Sequence, residues 1–204
     1  MEEGLCNVRV QHLKLRPFHF FSQLDITRLW DRVLRRARIP VEYTRGFNPR
    51  PKLSFGPALP LGVTSLAEFL DIKLSLPYDP AIMKETLNKE LPGELAVIKA
   101  ENIGTEKQSV SKSIAAMYYT YTFPLKLDKI PFHSIDFPDG VEMIKAPLAE
   151  RTCFVVSFVF TGKALLANPF KFAQFLRECL SLDAPMEIEK TGVLFAEHSG
   201  GFLR

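Results

Sequence analysis

The sequence predicts a mixed α+β fold made of two halves in tandem, and three observations carry that expectation. Stretches of apolar–polar alternation with period two recur along the chain, and helix-start signals at Ser22, Asp79 and Asn168 punctuate them. The element order read from the first half is β-α-β-β-α-β, and it recurs in part in the second. A composition of 47% hydrophobic and 24% charged residues over 204 positions is that of an ordinary globular chain, long enough to bury a sizeable core.

The elements follow in chain order. Residues 5–15 alternate, Val8, Val10 and the later Leu13 and Leu15 against Arg9, Gln11 and Lys14, which reads as a strand with a slip in its middle. Ser22 with Asp25 three residues on forms a capping box and opens a helix to about Arg38. Its apolar stripe is Ile26, Leu29, Trp30, Val33 and Ala37, with Arg28, Arg32 and Arg35 opposite. Pro40 ends it, residues 41–44 are a short strand, and Lys52–Phe55 is extended. Residues 66–76 alternate as a strand, with Glu68, Asp71, Lys73 and Ser75 expected partly outward. Asp79 as N-cap and Pro80 at the first helical position start a second helix that turns Ile82, Met83, Thr86, Leu87 and Leu91 inward. Pro92-Gly93 stops it, and residues 95–103 form a further strand. This order is the split βαβ, or ferredoxin-like, signature, for a first domain over residues 5–104.

A second half spans residues 114–198. Residues 117–127 form a Tyr/Thr/Phe-rich strand, proline-broken residues 128–140 hold no good helix, and residues 141–146 and 151–160 form a hairpin. Asn168-Pro169 caps a helix to about Leu180 with Phe172, Phe175, Leu176 and Cys179 inward, and residues 186–196 close the half. It is a degenerate ferredoxin-like unit whose first helix is lost.

Residues 45–62 are the least ordinary stretch. Gly46, Gly56, Gly62, Pro49, Pro51, Pro57 and Pro60 make the backbone stiff, while Phe47, Leu53, Phe55, Leu59 and Leu61 are available for burial. Gly46 suits a positive φ, and Asn48-Pro49 favours a turn. Phe47 is expected to plug the loop onto the core, the alternative being a stacking platform for a base.

Net charge is +3 but uneven: from Arg28 to Lys52 eight cations face only Asp31 and Glu42, a local balance of +6. Arginine dominates, and its planar fork suits phosphate or carboxylate. The candidate anion-binding or nucleic-acid-binding residues are therefore Arg28, Arg32, Arg35, Arg36, Arg45, Gly46, Phe47, Asn48, Arg50 and Lys52. For the helix cations alone, a solvated face is the plainer reading.

Catalytic patterns are weak. His12, His19, His133 and His198 are scattered, Asp25 is read as a cap, and Glu68 and Asp71 point to opposite faces of one strand. Cys6, Cys153 and Cys179 read as buried thiols, not a disulfide frame or metal site. An acidic Met1-Glu2-Glu3-Gly4 start with no apolar run of membrane-spanning length leads us to expect a cytoplasmic protein that spans no membrane.

Phe21-Ser22-Gln23-Leu24-Asp25, Leu34-Arg35-Arg36-Ala37, Ile39-Pro40, Tyr43, Gly46-Phe47-Asn48-Pro49 with Pro51-Lys52, Ser54-Phe55, residues 58–62, and Glu68 to Asp71 together resemble the radical-SAM-linked domain family of unknown function. The match is dense over residues 8–103 and diffuse beyond. The resemblance implies a radical SAM enzyme as partner and a setting among ribosomal and RNA-processing proteins. The chain lacks a CxxxCxxC motif, so the resemblance implies a stand-alone form that binds no iron–sulfur cluster or other cofactor of its own. The family usually has His where this chain has Gln23, and often His where it has Arg50, which argues against an essential catalytic role at those positions.

The leading expectation is a non-catalytic accessory module that binds RNA or a ribosomal component through the basic helix and loop. The first alternative is a protein–protein adaptor for the radical SAM partner. The second is an endoribonuclease-like enzyme, in which His12, His19 or His133 would supply acid or base.

Overall fold

A computed structural model describes residues 7–104, 108–124, 134–149, 153–162, 164, 168–182 and 185–196. The first half runs β1 (Asn7–Lys14), α1 (Gln23–Arg36), β2 (Leu53–Phe55), β3 (Thr64–Lys73), α2 (Pro80–Glu90) and β4 (Val97–Asn102). A four-residue helix, α3 (Val110–Ser113), leads into the second half: β5 (Ile114–Phe123), β6 (Val141–Ala149), β7 (Phe154–Thr161), α4 (Pro169–Leu180) and β8 (Glu187–Phe195). The fold is mixed α+β, as expected. Between β5 and β6 the described residues hold no α-helix.

All eight strands belong to one sheet, in the order β4-β1-β3-β8-β5-β7-β6, with β2 attached to β3 off that path. Within each half the first strand sits between the fourth and the third, with antiparallel neighbours, an arrangement compatible with the ferredoxin-like expectation. The halves meet where β3 and β8 run parallel, Thr64 opposite Glu189 and Ser65 opposite Lys190. The other end of β3 pairs with β2, from Leu53–Ile72 to Phe55–Leu70, so β3 is a fork shared by both partners.

Local chemistry sets these elements as the sequence implies. Ser22 accepts the Asp25 amide at 3.2 Å and Asp25 accepts the Ser22 amide at 3.1 Å, closing the capping box of α1. Asp79 caps α2 through the amides of Ala81 and Ile82, and Asn168 caps α4 through Phe170. One core gathers Val8, Val10, Trp30, Val33, Leu70 and Ile72 with α2, and a second gathers the aromatic residues of β5, β7 and α4.

Several expectations change. In β1 the register does shift near the middle, between Gln11 and His12 against β4 and between His12 and Lys14 against β3, but burial is not handed to Leu13 and Leu15: it runs from Val8 and Val10 to His12 and Lys14. Glu68 and Asp71 are also buried, not outward, because β3 lies at the centre of the sheet with material on both faces, where alternation no longer separates core from solvent. They do point oppositely, as expected: Asp71 meets Arg9, and Glu68 meets Lys190. Residues 41–44 make only isolated bridges, Val41–Leu74 and Tyr43–Pro51. Ile82 is exposed, roughly a quarter-turn from the inward Met83–Leu87 line. Cys179, in the last turn of α4, is exposed and Cys153 is half-buried, so neither is a fully buried thiol; Cys6 lies outside the described residues.

Candidate functional site

The Gly-Phe-Asn-Pro loop closes a small hairpin whose stem is the Tyr43–Pro51 bridge. The Thr44 amide donates to the Arg50 carbonyl at 2.8 Å, and the Arg50 amide donates to Thr44 Oγ1 at 3.0 Å. Below the stem, the Lys52 amide donates to the Glu42 carbonyl and the Glu42 amide to the Lys73 carbonyl, both at 2.8 Å, which fastens the hairpin to the end of β3. Gly46 has φ of 137°, a conformation side chains resist. Leu59 is buried, but Leu61 is exposed. Phe47 does not plug the loop: it stands fully in solvent, 106% exposed, because the whole turn from Thr44 to Arg50 is exposed and offers it no core to pack on.

Arg35 joins this loop to α1. Its guanidinium lies 4.9 Å over the Tyr43 ring, donates to Asp31 Oδ1 at 2.7 Å and donates to the Pro49 carbonyl at 3.1 Å. Helix and loop, separated in sequence, thus form one surface. Arg36 is engaged elsewhere, with the Glu90 carboxylate and carbonyl. Arg28 and Arg32, one turn apart on α1, and Arg45 and Arg50, flanking the loop, are exposed and make no ion pair among the described residues. Gly46 and Asn48 are exposed beside them. Four of the ten expected residues are therefore free cations on that surface, while Arg35 serves to build it.

Lys52 departs from the set. It is half-buried and binds Glu42, whose second oxygen takes Lys73 at 3.0 Å. Hydrogen bonds from Lys52 and then Lys73 hold the Glu42 carboxyl below the usual carboxylate range. Lys52 and Lys73 border a groove of about 430 Å³ at the loop stem, lined also by Thr44, Ser54, Asp71 and Ser109. Asp71 is fixed at its floor by Arg9, through Nε at 2.7 Å and Nη2 at 2.9 Å, and by the Val110 amide at 3.1 Å. A period-two reading sends Lys73 and Asp71 to solvent, so it does not bring them to this groove.

A second polar group is buried at the seam between the halves. Cross-strand partners share a face, and the register joins His12 to Glu68, Lys14 to Ser65, Ser65 to Lys190 and Lys190 to Tyr119. His12 stands edge-on to Trp30 with ring centres 5.1 Å apart. Its Nδ1 lies 2.8 Å from the Leu13 carbonyl, which can only accept, so Nδ1 carries the proton. Burial pushes His12 down, against the opposing pull of Glu68. Burial alone would raise Glu68, but the charge and hydrogen bond of Lys190, with His12, hold it below the usual range. Burial and the Glu68 charge push the Tyr119 phenol up. Lys14 donates to the Phe21 carbonyl at 3.0 Å. Gln23 lines a small cavity with His12, Lys14 and Glu68, so this position faces the seam, while Arg50 lies out on the loop. The signal for the seam in the sequence is the alternation of β1, whose even positions carry His12 and Lys14.

His12 and His19 are both buried, and His133 and His198 lie outside the described residues. No curated protein matches the chain. A family model described as "Uncharacterized protein conserved in bacteria (DUF2344)" matches residues 7–154, which takes in the first half, the hairpin loop, the groove and most of the sheet. The chain belongs to that family, a bacterial domain of unknown function.

Proposed function

We propose that this chain is a non-catalytic, cytoplasmic accessory protein of a radical SAM enzyme, and that it holds RNA or a ribosomal component on the surface formed by α1 and the hairpin loop. The observation that carries this is Phe47: a large aromatic ring in open solvent, between the unpaired Arg45 and Arg50, on a hairpin tied by Arg35 to Arg28 and Arg32. An exposed ring flanked by arginines suits an unstacked base with its phosphates, because every base has a stackable face and the cations follow the backbone. The radical SAM partnership rests on the sequence resemblance alone.

The test is fluorescence anisotropy with a single-stranded oligoribonucleotide and a duplex of equal length. Phe47→Ala is expected to weaken the single strand about tenfold and the duplex much less. An unchanged single-strand affinity would contradict the reading.

Docking of the radical SAM enzyme without nucleic acid is a second reading. It is favoured by exposed Phe20, Leu61 and Phe170, which lie near one another: the Gly62 amide donates to the His19 carbonyl at 2.8 Å, and the Phe170 ring sits over Gly62. Co-purification that survives nuclease, persists in an arginine-to-alanine variant and is lost on Leu61→Asp would favour this reading.

A further inference from the structure

The groove at the loop stem has a chemistry of its own. We propose that it is a nucleotide site, in which a phosphate monoester sits on Lys52 and Lys73 and the attached nucleoside lies along the hydroxyls toward Asp71. Its volume of about 430 Å³ falls in the range of about 300–1,000 Å³ that small-molecule sites occupy. Seven of its ten lining residues are polar or charged and offer hydrogen-bonding groups, while Pro51, Leu53 and Ile103 add apolar surface for a base or sugar.

Two cations come together here. Lys52 and Lys73 bind the two oxygens of one carboxylate, Glu42, which fixes both ammonium groups side by side. Each ammonium has three donors, and Glu42 occupies one of each, so further donors remain for a dianion. Ser54 and Ser109 add hydroxyls that donate or accept. Asp71 supplies an acceptor: its Oδ2 already takes Arg9 and the Val110 amide, but Oδ1 takes only Arg9 Nε, which leaves it a lone pair for a sugar hydroxyl or a base amino group. Because the buried Arg9 and the Val110 amide hold it, Asp71 keeps its orientation without a ligand. A bare phosphate would leave most of the groove and the Asp71 end unused; a nucleoside monophosphate reaches both.

The site also adjoins the proposed RNA surface. Pro51, in the stem of the hairpin whose tip carries Phe47, and Thr44, the next residue on the facing arm, both line the groove. A strand held by α1 and the loop would reach the groove by passing round the β2 edge of the sheet. The inference rests on the RNA-binding reading only for that course; the groove's own chemistry stands apart from it. The shared ligand chemistry is a terminal phosphate monoester, from a free mononucleotide or from the end of an RNA strand.

The experiment is calorimetric titration of the full chain with AMP, adenosine and inorganic phosphate. AMP is expected to bind about tenfold or more tighter than adenosine, with phosphate competing, since the charged contacts belong to the phosphate. Lys52→Gln and Lys73→Gln should each lower AMP affinity several-fold with the circular dichroism spectrum unchanged. The comparison of AMP with adenosine on the wild-type chain decides the matter even if those variants fold poorly. Equal affinity for AMP and adenosine, or no binding of AMP at millimolar concentration, would overturn the proposal. Oligoribonucleotides with a 5′-phosphate or a 5′-hydroxyl then assign the source: preference for the phosphate points to a strand end, and AMP binding without that preference to a free nucleotide. Arg28→Ala/Arg32→Ala should weaken the oligonucleotide and leave AMP unaffected, so failure of the RNA surface and failure of the groove are read separately.

Discussion

At the residue scale, the largest single stake is the Arg9–Asp71 pair. Arg9 is 1% exposed, and removing its carboxylate partner would leave a buried charge beneath the groove. Asp71→Asn is therefore expected to destabilise the fold by about 3–5 kcal/mol, measured by urea unfolding. Phe47 is the opposite case. It touches no core, so Phe47→Ala should leave the unfolding midpoint unchanged while weakening RNA. His12 gives a pH signature. Its folded pKa is lowered by burial, so the unfolded chain takes up the proton first. Stability from this group is full above the unfolded value of about 6.5 and declines as pH falls below it. Glu68, also lowered, adds its own decline only below about 4.3. Glu68, Lys14 and Lys190 are the charged groups facing His12, and Trp30 covers it from α1. Between about pH 7.5 and 5.5 the wild-type urea midpoint should therefore fall more than that of His12→Gln; parallel declines would contradict this assignment.

At the element scale, α1 both closes the first core and presents the arginines, so its start controls both. Ser22→Ala removes a reciprocal cap and is expected to cost about 1 kcal/mol in urea unfolding. The helix starts are legible in the sequence because caps are local: Ser22, Asp79 and Asn168 each act within three residues of themselves. The strands are legible in number, and the loop in its backbone demands at Gly46. What the pattern does not convey is which strands are covered on both faces. That depends on the parallel β3–β8 pairing between residues more than a hundred positions apart. For this reason Glu68 and Asp71 read as surface residues and are core. The candidate surface is legible as a list of arginines but not as a geometry. Arg36 and Lys52 are drawn away by Glu90 and Glu42, acids that no spacing rule links to them. Phe47 departs from expectation because an aromatic in a Gly/Pro loop normally finds a core, and here every residue of the turn from Thr44 to Arg50 is exposed.

At the scale of the whole molecule, one sheet carries two kinds of polar feature with different roles. The seam of His12, Glu68 and Lys190 is buried, and its Glu68–Lys190 pair fastens the halves together. The cations of α1 and the loop are held outward by a framework, Arg35 on Tyr43 and Pro49, that leaves four arginines unpaired among the described residues. On the RNA-binding proposal, so local a positive field on a near-neutral body would steer an anionic partner to one face. The decisive measurement is the affinity for single-stranded RNA as a function of salt, for the wild-type chain and for Arg28→Ala/Arg32→Ala/Arg45→Ala/Arg50→Ala. The account predicts a linear fall of log affinity with log salt, and a slope shallower by about 3 in the variant, since each phosphate no longer neutralised removes about 0.7 from it. Equal slopes and equal affinities for the two proteins, or no RNA binding by the wild type at low salt, would contradict it.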